Sequence, residues 1–523
     1  MPHFPEARLA GPTALGWIST EARLASGMAD CNARTGGQLR RDAAALAARL
    51  QRHYAPGSVL GSLADNSPAW LVFDLAVQAA GMVHVPLPSF FSEAQIQHAV
   101  RSSSMLGMAS CDPALAARMG FDGSAVRGID SEKSELVCYR SAVRRRPDRF
   151  VAIPRTVSKM TFTSGTTATP KAVLLSHAHQ LGTARSLADA TSSLGIRRHL
   201  CLLPLPVLLE NVAGAYTALL TGVECIVPSM SAAGMTGASH FDAQRCLETM
   251  VRERADSIIV LPQMLAALVD ALDSGAAEVR PDALKLVAVG GAHTPETLIR
   301  RARTLGLPVY EGYGLSECAS VTTLNLPGAD RVGTVGRPLP GVAVRLDDES
   351  EIQVCGRGFE GYLGAPESKP EKWFATGDIG RVDADGYVSI IGRRKHVLVT
   401  SFGRNVSPEW PEGLLTTYPG ILQAAVFGDA RPFLCAVIVA ASALDDAQID
   451  AHIAAVNANL PDYARIRHWI RALEHFTPNN GLATANGRLR RAVIEARYAD
   501  ALTTAYERQS MPSASPPVRA SIH

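Results

Sequence analysis

Hydrophobic and polar residues alternate between helical and strand-like spacing along the first part of the chain. Residues 42–54 place Ala and Leu at helical spacing, and residues 69–80 repeat that pattern up to Gly81. Short apolar runs at 58–63 and 83–87 have the length of buried strands. Strands that alternate with helices are typical of βαβ units, so the pattern predicts parallel sheets covered by helices.

The alternation continues through the middle of the chain. We expect one helix at 212–220, and another that begins at Thr294-Pro295-Glu296, where a capping residue precedes a proline. The predicted strands of this region are 200–203, 224–227, 257–261, 286–289 and 308–310.

After about Arg331 the apolar runs become shorter and are separated by Gly and Asp turns, as at 341–346, 351–355 and 387–391. This texture predicts a small, more antiparallel β region. The predicted fold class is therefore α/β, with a large N-terminal domain of parallel-rich αβα sheets plus a small β region. A small α+β C-terminal domain follows it.

Domain limits follow from these changes of pattern and from domain size. We expect the large domain to span 1–392 and the small domain to span 393–508. Residues 509–523 are rich in Ser and Pro, which predicts a disordered tail.

Composition excludes some classes of protein. The net charge of +2 does not point to a nucleic-acid partner. The nine cysteines form no C-x-x-C pair, which fits a reducing, cytoplasmic setting better than a zinc site or a disulfide framework. No signal peptide and no run of about 18 apolar residues is apparent, so we expect at most peripheral membrane contact.

A hydroxyl-rich segment follows the strand pattern of Lys159–Phe162. It reads Thr163-Ser164-Gly165-Thr166-Thr167-Ala168-Thr169-Pro170-Lys171. Backbone N–H groups and hydroxyls bind phosphate oxygens, and a terminal lysine supplies a positive charge. The spacing is not that of a P-loop NTPase, because the second glycine and the Lys-Ser/Thr pair are missing. Composition alone favours a plain surface loop.

The order of these residues resembles the signature of the acyl- and aryl-adenylating superfamily, which includes acyl-CoA synthetases, luciferases and peptide-synthetase adenylation domains. That family carries glycine where Ala168 and Ala172 stand. Alanine resists positive φ at a tight turn, so the change at Ala168 predicts a shifted or less mobile loop.

Further segments in the family's order extend the resemblance over roughly residues 35–492. Gly290-Gly291-Ala292 resembles the wall of the adenine pocket. In Gly312-Tyr313-Gly314-Leu315-Ser316-Glu317 the resemblance implies that Tyr313 lies against adenine, Ser316 meets the α-phosphate and Glu317 holds Mg²⁺, a cation that prefers carboxylate oxygens.

Two more signatures resemble the family's. Trp373-Phe374-Ala375-Thr376-Gly377-Asp378 implies that Asp378 binds the ribose hydroxyls, and Gly392-Arg393-Arg394-Lys395 implies a nucleotide contact at Arg393 and a hinge at Lys395, hence a mobile small domain. The implied nucleotide-binding set is Thr163, Ser164, Gly165, Thr166, Thr167, Gly290, Gly291, Ala292, Tyr313, Gly314, Ser316, Asp378 and Arg393.

The resemblance also implies the reaction. A carboxylate attacks the α-phosphate of ATP, and a thiol then attacks the acyl-adenylate. The implied catalytic residues are Lys171, Glu317 and Arg488, where Arg488 stands at the position of the family's bridging lysine. Arginine keeps the charge and offers a bidentate fork, but the exchange is not conservative where geometry is tight. Weak adenylation therefore stays open as an alternative.

The acid is the least determined part. The segments at Asn66–Trp70 and Asn405–Trp410 look most like bacterial long-chain fatty acyl-CoA synthetases, and Val207 stands where those enzymes often carry histidine. We expect ATP, Mg²⁺ and a medium- or long-chain fatty acid, with coenzyme A as the thiol. An aryl acid, the phosphopantetheine of an acyl carrier protein, and a catalytically impaired nucleotide- or acyl-binding relative stay open.

Overall fold

The computed structural model describes residues 12–27, 33–122, 125–126, 136–141, 153–163, 171–236, 240–275, 277, 279–396, 398–399, 405–484 and 487–507. The α-helices are α1 Gly36–Gln51, α2 Pro68–Ala79, α3 Glu93–Ser102, α4 Pro113–Arg118, α5 His177–Thr191, α6 Thr217–Thr221, α7 Ala243–Arg252, α8 Pro262–Asp273, α9 Glu296–Thr304, α10 Glu409–Leu415, α11 Asp446–Ala458, α12 Arg491–Arg497 and α13 Ala499–Glu507. A π-helix spans Leu209–Tyr216. Short 3-10 turns lie at Pro12–Leu15, Ser192–Leu194, Ser316–Cys318, Pro366–Ser368, Arg394–His396 and Asp462–Ala464.

The strands of the first half are β1 Arg23–Ala25, β2 Arg34–Thr35, β3 Val59–Ser62, β4 Val83–Pro86, β5 Gly107–Ser110, β6 Ala125–Val126, β7 Val137–Arg140, β8 Val157–Thr163, β9 Lys171–Ser176, β10 Arg198–Leu200, β11 Glu224–Ile226, β12 Met235–Thr236, β13 His240–Phe241 and β14 Ser257–Val260. Those of the second half are β15 Leu286–Val289, β16 Val309–Leu315, β17 Ser320–Leu324, β18 Arg337–Pro338, β19 Ala343–Leu346, β20 Glu351–Cys355, β21 Phe374–Val382, β22 Val388–Arg393, β23 Leu398–Val399, β24 Asn405–Val406, β25 Ile421–Phe427, β26 Leu434–Ala440 and β27 Ile466–Arg471.

Two large sheets and one small sheet build the N-terminal part. Seven strands run in the order β6-β7-β5-β3-β4-β8-β9, and nine run in the order β18-β17-β16-β15-β14-β10-β11-β1-β2. Both sheets have parallel centres, formed by β5-β3-β4-β8 and by β16-β15-β14-β10-β11-β1. Strands β19–β22 form an antiparallel four-stranded sheet. The predicted fold class is confirmed.

The C-terminal part has a core of its own. Strands β25, β26 and β27 form one sheet, with β26 and β27 parallel. One face packs on Ile449, Ile453 and neighbouring apolar residues, and the other packs on Ile494 and Leu502. The limit at 392/393 stays a prediction, and the predicted tail lies outside the described residues.

Some predicted elements have different ends. Helix α1 begins at Gly36 rather than residue 42, because Thr35 and Gln38 form a capping box there. Strand β10 ends at Leu200, three residues before the predicted end. Before α9, Pro295 rather than Thr294 occupies the cap position, and the backbone N–H of Thr294 donates to Glu311 Oε1 at 3.2 Å.

The helix predicted at 212–220 is a π-helix at Leu209–Tyr216 that continues into α6. Two polar side chains of this π-helix form hydrogen bonds with buried residues of other elements. Glu210 Oε1 pairs with His199 Nε2 at 2.8 Å, while Tyr216 donates to Asp74 Oδ2 at 2.6 Å. Such π-helical segments are frequent at functional sites.

A buried charge network joins this π-helix to the seven-stranded sheet. Lys159 Nζ on β8 lies 3.0 Å from Asp74 Oδ2, and it also binds Asn211 of the π-helix. Both charged side chains are fully buried. Burial lowers the pKa of Lys159, and Asp74 opposes that shift. Burial would raise the pKa of Asp74, but Lys159 and His84 hold it below its usual range.

None of the helices within the described ranges combines the length and the apolar character needed to cross a lipid bilayer.

Candidate nucleotide and acid site

A single cavity of about 2670 Å³ lies between the large sheets, the small β sheet and the C-terminal part. Every predicted catalytic or nucleotide-binding residue that the structure describes lines it, namely Thr163, Lys171, Gly290, Gly291, Ala292, Tyr313, Gly314, Ser316, Glu317, Asp378, Arg393 and Arg488. The predicted Ser164, Gly165, Thr166 and Thr167 lie outside the described residues. Lys395 lies in the turn Arg394–His396, and only its backbone is described.

Strand order explains why distant segments meet here. Gly290 follows β15 directly, and its neighbour β16 contains Gly312 at the same end of the sheet. A Cβ on Gly290 would lie 2.9 Å from Gly312 O, and one on Gly314 would lie 1.8 Å from Ser320 O. The absence of side chains therefore lets these backbones approach each other.

The replaced glycine at Ala172 has a local explanation. Ala172 lies inside β9, is buried, and pairs with Phe162 of β8. A strand position needs no positive φ, so alanine fits here. The predicted effect of Ala168 falls outside the described residues.

Tyr362 contacts both Lys171, at the end of the predicted phosphate-binding segment, and Glu317, the predicted ligand of the metal ion. Lys171 Nζ lies 5.4 Å from the centroid of the Tyr362 ring. The Tyr362 hydroxyl donates to Glu317 Oε1 at 2.8 Å. Burial, followed by the charge of Glu317, raises the pKa of Tyr362, so this hydroxyl stays a donor at neutral pH.

Asp378 of β21, the residue predicted to bind ribose, is held by one partner on β22 and another on β16. Arg393 Nε lies 2.6 Å from Asp378 Oδ1, and Tyr313 donates its hydroxyl to Asp378 Oδ2 at 2.5 Å. Burial raises the pKa of Asp378, and Arg393 opposes that shift. A carboxylate accepts about four hydrogen bonds, so Asp378 has capacity left for ligand hydroxyls.

Arg488 reaches the cavity from the C-terminal part. Its Nη2 donates to the backbone oxygen of Gly291 at 3.0 Å, beside the predicted adenine wall. Burial within the cleft and the nearby charge of Arg393 lower its pKa, although arginine remains protonated at physiological pH. The small domain therefore places a cation on the same cavity as Lys171 and Glu317.

The donor set fits a polyphosphate and a hard cation. Lys171, Arg393 and Arg488 supply positive charge around the cavity, while Glu317 faces it with a carboxylate. Among the described residues, only Tyr362 hydrogen-bonds to Glu317, through Oε1, so Oε2 has no protein partner there. Carboxylate oxygen is the ligand type that Mg²⁺ prefers.

An apolar channel extends from the nucleotide region along the nine-stranded sheet. Residues of β14 and its continuation line it (Ser257, Ile258, Ile259 and Leu261), beside Leu286, Ala288 and Val289 of the neighbouring strand and Gly290 after it. The extended segment from Ser257 to Leu261 spans about 13 Å. The π-helix and α6 contribute a further set of lining residues at intervals of four, the channel stripe: Leu209, Ala213, Thr217 and Thr221.

The channel contains one buried polar pair along its wall. His199 is held between Ser257 Oγ at 3.0 Å and Glu210 Oε1 at 2.8 Å. Glu210 Oε2 also accepts the backbone N–H groups of Leu202 and Leu203, at 3.1 and 2.8 Å. These partners satisfy the pair internally, which leaves the channel mainly apolar.

Sequence reasoning missed Tyr362 and the channel stripe. Tyr362 lies in the turn-rich stretch before Trp373, where a tyrosine between glycines gives no signal of a site. No sequence pattern indicated the stripe, because its residues are small or apolar and such residues are typical of ordinary helix packing.

Comparison with known proteins agrees with this arrangement. The profile described as AMP-binding enzyme matches residues 20–364, and the profile described as AMP-binding enzyme C-terminal domain matches residues 395–510. A long-chain-fatty-acid–CoA ligase of Mycobacterium bovis is 33% identical over 249 residues, which cover 42% of this chain and 42% of that ligase. The chain thus aligns with less than half the length of that relative. A feruloyl-CoA synthase of an Amycolatopsis species is 28% identical over 408 residues, 72% of this chain and 76% of the synthase.

Solved structures share the fold. An anthranilate CoA ligase in complex with anthranoyl-AMP aligns with a TM-score of 0.77 at 19% identity, covering 96% of this chain and 99% of that one. The O-succinylbenzoate coenzyme A synthetase of Bacillus subtilis, in complex with AMP, aligns with a TM-score of 0.71 at 19% identity, covering 92% and 96%.

Proposed function

The chain belongs to the AMP-binding enzyme family, and we propose that it activates a medium- or long-chain fatty acid with ATP and transfers the acyl group to a thiol. The convergence of Lys171, Glu317, Asp378 and Arg488 on one cavity carries this proposal. A set of cations and carboxylates suits a triphosphate with a divalent cation, and the adjoining apolar channel suits an alkyl chain.

The proposed first step is attack of the acid's carboxylate on the α-phosphate of ATP, with loss of pyrophosphate. Lys171 and Arg488 offset the negative charge of the reacting groups, and Asp378 binds the ribose. Bound to Glu317, Mg²⁺ would supply further neutralisation of phosphate charge. The remaining nucleotide contacts assigned by resemblance, at Thr163, Gly290, Tyr313, Ser316 and Arg393, belong to the same proposal.

The depth and the lining of the channel support a fatty acid. Its walls carry Leu209, Ala213, Ile259 and Ala288, and its described length exceeds one aromatic ring. Thr217 and Thr221 also line the cavity, and Thr221 is exposed. We propose that the end of a long acyl chain lies near these two residues.

An aryl acid is the second candidate. The relative named feruloyl-CoA synthase aligns over 72% of this chain. The hydroxyl of Ser257, which lines the same cavity, has hydrogen-bonding capacity left for a polar substituent of the ring.

Coenzyme A is the proposed thiol, and the phosphopantetheine of a carrier protein presents the same thiol arm. The hinge at Lys395, with the small domain beyond it, is proposed to expose the acyl-adenylate to that thiol. Mobility of the small domain and the domain limits 1–392 and 393–508 belong to this proposal.

Acid-dependent ATP–pyrophosphate exchange tests the proposal. Saturated acids of increasing length and a cinnamic-type aryl acid are compared, and thioester formation is then followed with CoA and with a carrier protein. We expect exchange to be strongest with medium or long chains. Thr217→Phe should move the preference towards shorter acids, while Thr304→Phe, at an exposed position outside the cavity, should leave it unchanged.

The alternatives give different results. Preference for the aryl acid, with no response of chain length to Thr217→Phe, would identify an aryl-acid ligase. Exchange without thioester formation on CoA but with transfer to the carrier protein would identify the other acceptor. Absence of exchange with every acid would identify a binding relative that lacks the reaction.

A further inference from the structure

Tyr362 is the residue that links two groups of the nucleotide site that lie far apart in sequence. Its hydroxyl donates to Glu317 Oε1 at 2.8 Å, and its ring lies under Lys171 Nζ at 5.4 Å from the centroid. One side chain thus contacts both the carboxylate proposed for the divalent cation and the ammonium proposed for the phosphates.

The position of Tyr362 is fixed by its backbone and by ring packing. Its N–H donates to Ser368 Oγ at 2.8 Å, and the residue forms a bridge with Val173 of β9, the strand that begins at Lys171. The ring packs edge-on against Phe359 with centroids 4.9 Å apart. A side chain that packing and hydrogen bonds hold in one position can in turn orient the side chains that it contacts.

The hydroxyl and the ring of Tyr362 have separate effects, one on Glu317 and one on Lys171. A hydrogen bond to one oxygen of a carboxylate fixes the direction in which the other oxygen points, and the Tyr362 hydroxyl acts this way on Glu317. An aromatic face near an ammonium group favours that ammonium position electrostatically, and the Tyr362 ring acts this way on Lys171. The packing of the ring against its neighbours needs neither the hydroxyl group nor its hydrogen bond to Glu317.

We infer that Tyr362 is a positioning residue of the nucleotide site, which orients Glu317 for a divalent cation through its hydroxyl and steadies Lys171 through its ring. This inference rests on the nucleotide site of the proposed function, but it requires neither a particular acid nor a particular thiol.

Metal and nucleotide binding test the two effects separately. Mn²⁺ replaces Mg²⁺ and is titrated into the full-length protein saturated with a non-hydrolysable ATP analogue, with free Mn²⁺ followed by electron paramagnetic resonance. Calorimetry with ATP and a chelator measures binding without metal. Tyr362→Phe should weaken Mn²⁺ binding by about tenfold, because loss of an outer-shell hydrogen bond has effects of that size. Its metal-free ATP affinity should stay unchanged.

Tyr362→Leu should show the same loss of Mn²⁺ affinity and should also weaken metal-free ATP binding by about threefold, because the aromatic face under Lys171 is gone. Tyr310→Phe is the matched control, since Tyr310 lies on the same strand as Tyr313 but does not line the cavity. In a Glu317→Gln background, Tyr362→Phe should cause no further change in Mn²⁺ affinity.

The outcomes are distinct. Mn²⁺ affinity that is unchanged in Tyr362→Phe, with thermal unfolding at the wild-type temperature, would overturn the inference. An equal loss in the Glu317→Gln background would also overturn it, because the hydroxyl would then act elsewhere. A wild-type protein that binds the analogue and Mn²⁺ but forms no acyl-adenylate would refute the proposed reaction and leave the inference standing. Failure to bind either ligand would refute both.

Discussion

Replacement of Arg488 by alanine tests the unusual feature of this site, a guanidinium where the family has an amine. Arg488 Nη2 donates to Gly291 O at 3.0 Å, so one side of the planar group is anchored to the large domain. The other donors of the guanidinium remain available for the proposed bridge between the acid's carboxylate and the α-phosphate. Arg488→Ala removes both the anchor and the charge.

The magnitude follows from what is removed. A hydrogen bond to a charged group contributes about 1.5–3 kcal/mol. The Arg488 side chain remains accessible to solvent although the walls of the cleft surround it, so we take the lower end of this range. About 1.4 kcal/mol corresponds to a tenfold change in rate. We therefore expect acyl-adenylate formation to fall at least about tenfold.

Pyrophosphate release under single-turnover conditions measures the first step, and reaction of a synthetic acyl-adenylate with the thiol measures the second. Arg488→Ala should slow only the first. Arg490→Ala is the control, because Arg490 lies two residues away, donates to Gly481 O at 3.1 Å and does not line the cavity. An unchanged rate of pyrophosphate release in Arg488→Ala would refute the bridging role.

Two further predictions concern stability. Lys159→Met should lower the free energy of unfolding by about 3–5 kcal/mol in urea denaturation, because it removes the ammonium group that lies 3.0 Å from the buried carboxylate of Asp74. Lys285→Met should change it by less than about 1 kcal/mol, and equal effects of the two variants would contradict the prediction. Burial raises the pKa of Glu311 to about 8 from a usual value of 4.5. Between these pH values the unfolded chain loses the proton first, so this group destabilises the fold increasingly as pH rises. Thermal unfolding should therefore show Glu311→Gln gaining stability over wild type from pH 5 to pH 8, and a constant difference would refute the assignment.

The order of local patterns was enough to predict the architecture. Alternating helical and strand periodicity predicted the parallel-rich sheets, because buried strands and amphipathic helices place their apolar residues at different intervals. The change of texture after Arg331 located the antiparallel region. The segment Gly312–Glu317 was identified by its resemblance to a signature of the adenylating superfamily.

Other features depended on contacts between segments distant in sequence. No local pattern predicts that Tyr362 contacts Glu317 and Lys171, since these contacts arise where the segment around Tyr362 pairs with β9. The π-helix at Leu209–Tyr216 likewise accompanies buried partners, such as His199 and Asp74, that lie on other elements.

The sequence by itself thus determined the periodicity of the elements, their order and the residue types suited to phosphate chemistry, because these depend on spacing along the chain. Only the tertiary structure decided that Tyr362 contacts Glu317 and Lys171, and that residues of the π-helix line the same cavity as those of β14. Those properties depend on packing between distant segments, and local periodicity carries no information about such distances.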